Sequence, residues 1–359
     1  AVYESVSTDY AATSQGRRAA LMRAVSRLDE GDRNGAMDAY RAVVERYPSS
    51  DEARSALDDL KQLYADEGRL RDYVLFVNSV DGSSKVEISQ FEAEAFTAAE
   101  DAFLNDRNSM LLKSYVKQFA DGANLPQALL YLAEEASDND NAAEAAVYAT
   151  RIADLFPDKP QAEEALLIKA ESEAALGKGE AALATYRKLE SRASSAELLN
   201  AARLGIVETA ISAGRYDEVL PASEKLISSS AANADLDRVK FYRALALDRT
   251  GRSDEAYELW RALAKNPSTL TGSKSAVYLT ESLTAAGRLD EAEKTANDFI
   301  DAGSPHNYWY ARGFIAYSDV LRRQGKTFEA DEYLKALRDN YPGQEADIFE
   351  MIDSRLSGE

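Results

Sequence analysis

A single histidine and a complete lack of cysteine set the first limits on the chemistry of this chain. His306 lies between Pro305 and Asn307, and it is the only imidazole in 359 residues. General-base catalysis needs a positioned partner group, while thiolate zinc sites and Cys-His dyads need residues that the sequence lacks. We therefore predict no catalytic residue, no metal site and no cofactor, and we interpret His306 as a surface or capping residue.

Carboxylates are the other candidates, and some of them recur at a regular position. The chain has 62 Asp and Glu residues against 42 Lys and Arg residues. Six carboxylates lie six residues before a small turn residue: Glu100, Glu134, Glu171, Glu208, Glu281 and Asp319. Seven residues before the same position, the last three units carry Arg238, Lys274 and Arg312. These charges form either a binding surface or a solvated face with internal ion pairs, and the sequence leaves both interpretations open.

The net charge of −20 limits the classes of partner. It repels the phosphates of nucleic acids and the headgroups of anionic lipids. A membrane-spanning helix needs about 20 consecutive apolar residues, and no apolar run approaches that length. We therefore expect neither nucleic-acid binding nor membrane insertion.

Small turn residues divide the chain into units of 34 to 38 residues. They are Gly31, Gly68, Asp106, Asp140, Gly177, Gly214, Gly251, Gly287 and Gly325. A phrase such as G-R-S-D-E-A from Gly251 or G-R-L-D-E-A from Gly287 follows several of them. A fixed period of this length is the signature of a repeat architecture, so we predict nine units over about residues 17–342.

Apolar residues at fixed offsets from each turn predict two helices per unit. Five residues beyond the turn the residue is usually alanine, as at Ala145 and Ala256, which suits closely approaching helix backbones. Nine residues beyond the turn stand larger side chains such as Tyr186 and Trp260, which lie on the same helical face. A proline then ends the second helix in five units: Pro48, Pro157, Pro267, Pro305 and Pro342.

Small residue, aromatic residue and proline at these offsets resemble the tetratricopeptide repeat. The resemblance implies an all-α fold, an α-α superhelix or solenoid of about nine helix-turn-helix repeats, forming one domain over residues 1–359. Residues 1–16 would be the remnant of a preceding helix and residues 343–359 a capping helix. In this family the position of the six carboxylates generally faces the concave groove, so the resemblance implies an acidic row along the inner surface.

Two sequence phrases narrow the resemblance. The phrase Y-P-S-S-D-E-A from Tyr47 is similar to helical repeat proteins of the Gram-negative envelope, such as the outer-membrane assembly lipoprotein BamD and the YbgF family. The string P-H-N-Y-W-Y-A-R-G-F-I-A-Y from Pro305 resembles the C-terminal part of long bacterial envelope proteins with these repeats. Both imply the periplasm or the cell envelope, with the cytoplasm left open, and other parts of a longer parent chain as candidate partners.

These features together favour a non-catalytic scaffold. An acidic groove predicts a protein or peptide partner with basic residues, bound more weakly as salt rises. The alternatives are a glycan- or peptidoglycan-acting enzyme or binding module, and a passive structural spacer in a longer repeat protein. The aromatic stretch Tyr308, Trp309, Tyr310, Phe314 and Tyr317 is compatible with an interface, but its spacing favours the core of the last repeat.

Overall fold

The structure is a computed structural model that describes residues 2–82, 85–229 and 236–358. Within these ranges the chain forms twenty α-helices and no strands, so the predicted all-α fold class is confirmed. The helices group into two compact units, Ala1–Ser172 and Glu173–Glu359. We describe each unit by itself, and the single domain over residues 1–359 stays a prediction.

The helices alternate between a first and a second helix of each repeat. Unit 1 contains α1 (Val2–Asp9), α2 (Ser14–Asp29), α3 (Arg33–Arg46), α4 (Asp51–Asp66), α5 (Leu70–Ser79), α6 (Ile88–Asp106), α7 (Met110–Gln118), α8 (Leu125–Asp138), α9 (Ala142–Leu155) and most of α10 (Gln161–Ala175). Unit 2 continues with α11 (Gly179–Arg192), α12 (Ala196–Ser212), α13 (Tyr216–Ser228), α14 (Leu236–Arg249), α15 (Ser253–Ala264), α16 (Leu270–Ala285), α17 (Leu289–Ala302), α18 (Asn307–Arg323), α19 (Thr327–Asn340) and α20 (Ala346–Ser357). The even-numbered helices α2 to α18 are the first helices of the nine predicted repeats.

Turn glycines end seven of the nine first helices of the predicted repeats because they adopt a left-handed conformation. Gly251, for example, has φ 82° and no atom within 4 Å of the place where a Cβ would lie. The next amide, of Arg252, donates to the carbonyl of Leu247 at 2.8 Å, which closes the helix end in a Schellman motif. A glycine is favoured there because other L-residues lose energy at positive φ.

The third repeat departs from the predicted register by one residue. Asp106 is the last residue of α6, and Arg107 takes the left-handed conformation at φ 53°. The predicted turn at Asp106 is therefore wrong, and the buried position five residues beyond the turn is Leu112 rather than Leu111. The Arg107 guanidinium lies 5.6 Å from the centroid of the Phe103 ring. This contact with the last turn of α6 helps to hold Arg107 in place.

The predicted apolar offsets build the interior of each unit. Ala145 and Ala256 are fully buried, and so is Trp260. Gly205 of α12 packs directly against the ring of Tyr186 of α11, in the preceding repeat. Only glycine fits there, because a Cβ at position 205 would lie 2.2 Å from that ring. The sequence therefore matches large rings on second helices with small residues on the following first helix.

The last helix covers the end of unit 2. In α20, Ile348 and Ile352 are fully buried against Ala311 and Leu334 of the ninth repeat. A solenoid end needs such a cover to keep its apolar face from water. This helix lies within residues 343–359, for which the sequence predicts a cap, and at the other end α2 starts at Ser14. The division of the chain into these segments stays a prediction.

Candidate functional site

The six predicted carboxylates all lie on first helices, three in each unit. Unit 1 carries Glu100 in α6, Glu134 in α8 and Glu171 in α10, while unit 2 carries Glu208 in α12, Glu281 in α16 and Asp319 in α18. Five of them lie four residues, about one turn, before the last residue of their helix, and Glu100 lies six residues before the end of α6. The two sets differ in their ionic partners.

In unit 2 every one of these carboxylates pairs with an arginine of the following first helix or of the cap. Arg238 Nη2 lies 3.0 Å from Glu208 Oε1. Arg312 Nη2 donates to Glu281 Oε1 at 2.7 Å, and this ion pair contributes to a raised pKa of Arg312 in spite of partial burial. The carboxylate of Asp319 is held by Arg355 of α20. The acidic and basic rows of unit 2 are thus joined to each other.

Lys274 is the exception in the basic row, because Leu245 occupies the acidic position of the seventh repeat. Its Nζ atom lies 5.4 Å from the Trp309 ring centroid and 5.9 Å from that of Phe241. In the described part of the chain, no carboxylate lies within ion-pair distance of Lys274. Aromatic faces attract a cation, so they supply part of the stabilisation that a carboxylate gives elsewhere.

In unit 1 the first carboxylate is hydrogen-bonded to a neutral group. The hydroxyl of Tyr131, on α8, donates to Glu100 Oε1 at 2.8 Å. Partial burial and this bond raise the pKa of Tyr131 to about 12. The contact joins the first helices of two successive repeats without neutralising the charge of Glu100.

The other two carboxylates of unit 1 form no ion pair with any described residue. Partial burial raises the pKa of Glu134, and the nearby carboxylates of Glu164 and Asp138 raise it further, with Arg107 acting in the opposite direction. The pKa of Glu171 is raised by desolvation alone, although the residue is exposed to water. A carboxylate that is accessible to water and is also partly desolvated by surrounding protein is typical of a recessed surface.

We call Glu100, Glu134 and Glu171 the acidic face of unit 1. None of its three carboxylates forms an ion pair with a described residue, although Arg107 acts on Glu134, so a cationic group from outside the chain would recover Coulomb energy that unit 2 already obtains internally. Among the described residues, no three His, Cys, Asp or Glu side chains are arranged to hold a metal ion. None of the described helices has the length and apolar character that a membrane span requires.

A second charge pattern lies along the turns of unit 2, and sequence reasoning missed its role. Arg288, directly after the turn Gly287, joins Asp254 of the preceding repeat at 2.9 Å and Glu291 of its own repeat at 2.7 Å. Arg215 joins Glu180 and Glu218 in the same way. Arg252, after Gly251, pairs with Glu255 of its own repeat, so among the described residues the arginine of the phrase G-R-x-D-E joins the preceding repeat at two of its three occurrences. The signal of this pattern was visible in the sequence as the recurring phrase itself.

His306 and the aromatic stretch have structural neighbours. The ring Nε2 of His306 lies 3.1 Å from the carbonyl of Ser268, which ties the start of α18 to the preceding loop. Tyr317 is buried, in agreement with the predicted core. Tyr310 is half-buried and packs against the buried ring of Phe299, and both Tyr310 and Phe314 also line an open cavity.

That cavity, which we call the aromatic groove, has a volume of about 510 Å³. It is lined by Ser304, Asn307, Tyr310, Ala311, Phe314, Tyr333, Ala336, Leu337, Asn340, Tyr341 and Pro342. A neighbouring cavity of about 570 Å³, the charged groove, is lined by residues that include Arg261, Lys265, Glu291, Lys294 and Asp298. Both lie in unit 2, and they differ sharply in polarity.

Comparison with protein families supports the repeat assignment. A tetratricopeptide repeat family model matches residues 18–50 and 317–343, which fall in the first and ninth repeats. The predicted resemblance to this repeat family is thereby confirmed. Among functionally curated protein sequences, none matches the chain. The narrower resemblance to BamD, YbgF and long envelope proteins stays a prediction.

Solved structures with similar arrangements are distant in sequence. A signal transduction ATPase with numerous domains and a tetratricopeptide repeat sensor, from Pyrococcus horikoshii, is 16% identical with a TM-score of 0.52 over 96% of this chain and 55% of that chain. A tetratricopeptide repeat protein from Parabacteroides merdae is 15% identical, with a TM-score of 0.45, over 74% of this chain and 99% of that chain. The P58(IPK) repeat domain is 14% identical, with a TM-score of 0.28, over 95% and 97%. The first match supports a shared fold, and the chain spans about half of that ATPase.

Proposed function

We propose that the chain is a non-catalytic scaffold that binds a basic segment of a partner protein on the acidic face of unit 1. Helical repeat arrays generally present extended surfaces to other proteins. The observation that carries the proposal is that Glu134 and Glu171 form no ion pair within residues 2–82, 85–229 and 236–358, whereas Glu208, Glu281 and Asp319 are all paired. The unpaired carboxylates are thus available to lysine or arginine side chains.

Binding of a cation would gain free energy because it offsets the repulsion between neighbouring carboxylates. Glu134 lies near the carboxylates of Glu164 and Asp138, and these like charges disfavour its ionised form. A bound lysine or arginine would favour the ionised form and would lower the pKa of Glu134. Because the face is accessible to water, the attraction should weaken as salt rises.

Two double variants with the same change in charge test the proposal. The probe is a fluorescent 12-residue peptide of alternating lysine and glycine, measured by fluorescence anisotropy with the full chain. We expect Glu134→Gln/Glu171→Gln to weaken binding about tenfold, which is about 1.4 kcal/mol. The control Glu208→Gln/Asp319→Asn removes two carboxylates that arginines already hold, and it should leave the affinity nearly unchanged.

The result separates the proposal from its alternatives. Equal weakening in both double variants would mean that only the net charge of −20 attracts the peptide, and the acidic face would be rejected as a site. No binding by the unmodified chain would favour a passive spacer or a glycan-directed module. Product analysis after incubation with peptidoglycan then distinguishes these two.

We further propose that the scaffold works in the cell envelope. The support is the resemblance carried by the phrase from Tyr47 and the string from Pro305. Fractionation of cells that produce the protein from its native gene tests this location. Recovery in the cytosolic fraction alone would contradict it.

A further inference from the structure

We propose that the aromatic groove of the ninth repeat is a second docking site, which takes an uncharged segment of a partner protein with an aromatic or leucine side chain. The site is separate from the acidic face of unit 1 and does not depend on it. Aromatic anchors in partly enclosed pockets are the usual centres of protein interfaces. Four features of the groove support this occupant.

The rings that line the groove are held in place before any partner binds. The hydroxyl of Tyr310 donates to the carbonyl of Ile300 at 2.9 Å, which fixes this ring against the end of α17. Phe314 packs edge-on against Tyr310 with 5.1 Å between ring centroids, and Tyr333 lies 6.3 Å from Phe314. A site built from fixed rings loses little conformational entropy on binding.

The charges around the two grooves differ in a way that selects the occupant. No Asp, Glu, Lys or Arg belongs to the residues lining the aromatic groove, while five such residues line the charged groove. A charged side chain that entered the aromatic groove would lose hydration without gaining an ionic partner, and the ring faces would return only part of this cost to a cation and none to a carboxylate. An uncharged segment does not incur this penalty, so the groove discriminates in its favour.

Neutral polar groups lie around the apolar floor. Asn307 is the first residue of α18, Asn340 is the last residue of α19, and Ser304 lies in the loop before α18, where its hydroxyl accepts from the amide of His306. Asn340 donates through Nδ2 to the carbonyl of Ala336. Hydroxyl and amide groups can donate to and accept from a peptide backbone, so they suit a polypeptide better than a purely hydrocarbon ligand.

The size of the groove agrees with this occupant. A volume of about 510 Å³ exceeds what one side chain fills, and it leaves space for adjacent backbone. Ligand pockets usually span about 300 to 1,000 Å³. Tyr333 is 40% exposed, so an incoming ring or leucine would remove apolar surface from water at this position.

Selection from a displayed library of random 12-residue peptides tests the proposal with the full chain as bait. We expect enriched peptides that are uncharged and contain an aromatic residue or leucine. Ala336→Glu places a carboxylate on the lining at an exposed position, and Tyr333→Ser removes one ring. Each should weaken binding of the best peptide at least tenfold.

Two controls keep the test specific. Thr295→Glu puts the same carboxylate into the charged groove, and Glu134→Gln/Glu171→Gln alters the acidic face; both should leave the affinity unchanged. Circular dichroism of each variant checks that the helices persist. Enrichment of basic peptides whose affinity is the same for the Ala336→Glu variant would overturn the proposal. So would no enrichment, or a dimer in light scattering that Ala336→Glu abolishes, since a second copy would then fill the groove.

Discussion

Arg355 and Asp319 form a two-point ion pair, with Nε donating to Oδ1 and Nη2 to Oδ2, each at 2.7 Å. The contact links the cap helix α20 to the first helix of the ninth repeat. Arg355 also donates to the carbonyl of Met351 at 2.9 Å, within its own helix. A carboxylate predicted to face a ligand is therefore occupied in fastening the end of the array.

Asp319→Asn should loosen the cap without affecting binding on the acidic face. The variant keeps one acceptor and loses the charge, so we expect the free energy of unfolding to fall by about 1 kcal/mol, as bidentate geometry is stronger than an ordinary surface pair. Hydrogen exchange in α20 should become faster. A double-mutant cycle with Arg355→Gln measures the coupling, and a value near zero would contradict this account.

Gly205→Ala should destabilise unit 2 through one steric contact. The new Cβ would lie 2.2 Å from the ring of Tyr186, which is 4% exposed and has little space to move. Overpacking of this kind costs about 1 to 3 kcal/mol. Chemical denaturation measures the loss. Gly179→Ala is the matched control, because its Cβ would meet Thr209 at an ordinary 3.8 Å; a similar loss there would point to helix effects rather than to the ring.

Arg107→Gly should stabilise the third repeat. Arg107 sits at φ 53°, where a residue with a Cβ loses about 1 kcal/mol or more. Part of the gain is offset by the greater freedom of glycine in the unfolded chain and by loss of the contact with Phe103. The reciprocal change Gly251→Ala, at φ 82°, should lower the melting temperature. If both changes shifted it in the same direction, backbone strain would not be the cause.

Glu134→Gln should raise stability at neutral pH and not at acidic pH. The pKa of Glu134 is raised in the folded chain, so the folded state binds this proton more tightly than the unfolded state. The destabilisation is fully present above the raised pKa and disappears as pH falls below the ordinary value of about 4.5. Because Glu134 is only partly buried, solvent screening keeps the gain at pH 7 small, about 0.5 kcal/mol or less. Parallel stability curves from pH 4 to pH 7 would contradict the shift.

Much of the fold could be predicted because each repeat marks its own boundaries. Glycine at the turn and proline after the second helix report backbone geometry directly. The prediction failed at Asp106, where no glycine is present and Arg107 adopts the left-handed turn. In a short polar stretch without glycine, the sequence does not indicate whether Asp106 or Arg107 adopts a positive φ.

The candidate site was less predictable than the fold. The sequence placed acidic and basic rows on first helices, but it could not show that Arg238 reaches back to Glu208 across a repeat. It also could not show that Glu134 and Glu171 lack such a partner. These outcomes depend on how long side chains cross the space between helices, which spacing along the chain does not determine.

In unit 2, arginines that follow turn glycines form ion pairs with carboxylates at one fixed position of the preceding repeat. Arg215 reaches Glu180 of the preceding repeat, and Arg288 reaches Asp254 at the equivalent position. If residues 215–251 were removed as one block, Arg252 would follow Gly214 and stand opposite Glu180. Loss of a whole repeat thus leaves an arginine opposite a carboxylate, whereas loss of part of a repeat would misalign the pair that spans the deletion.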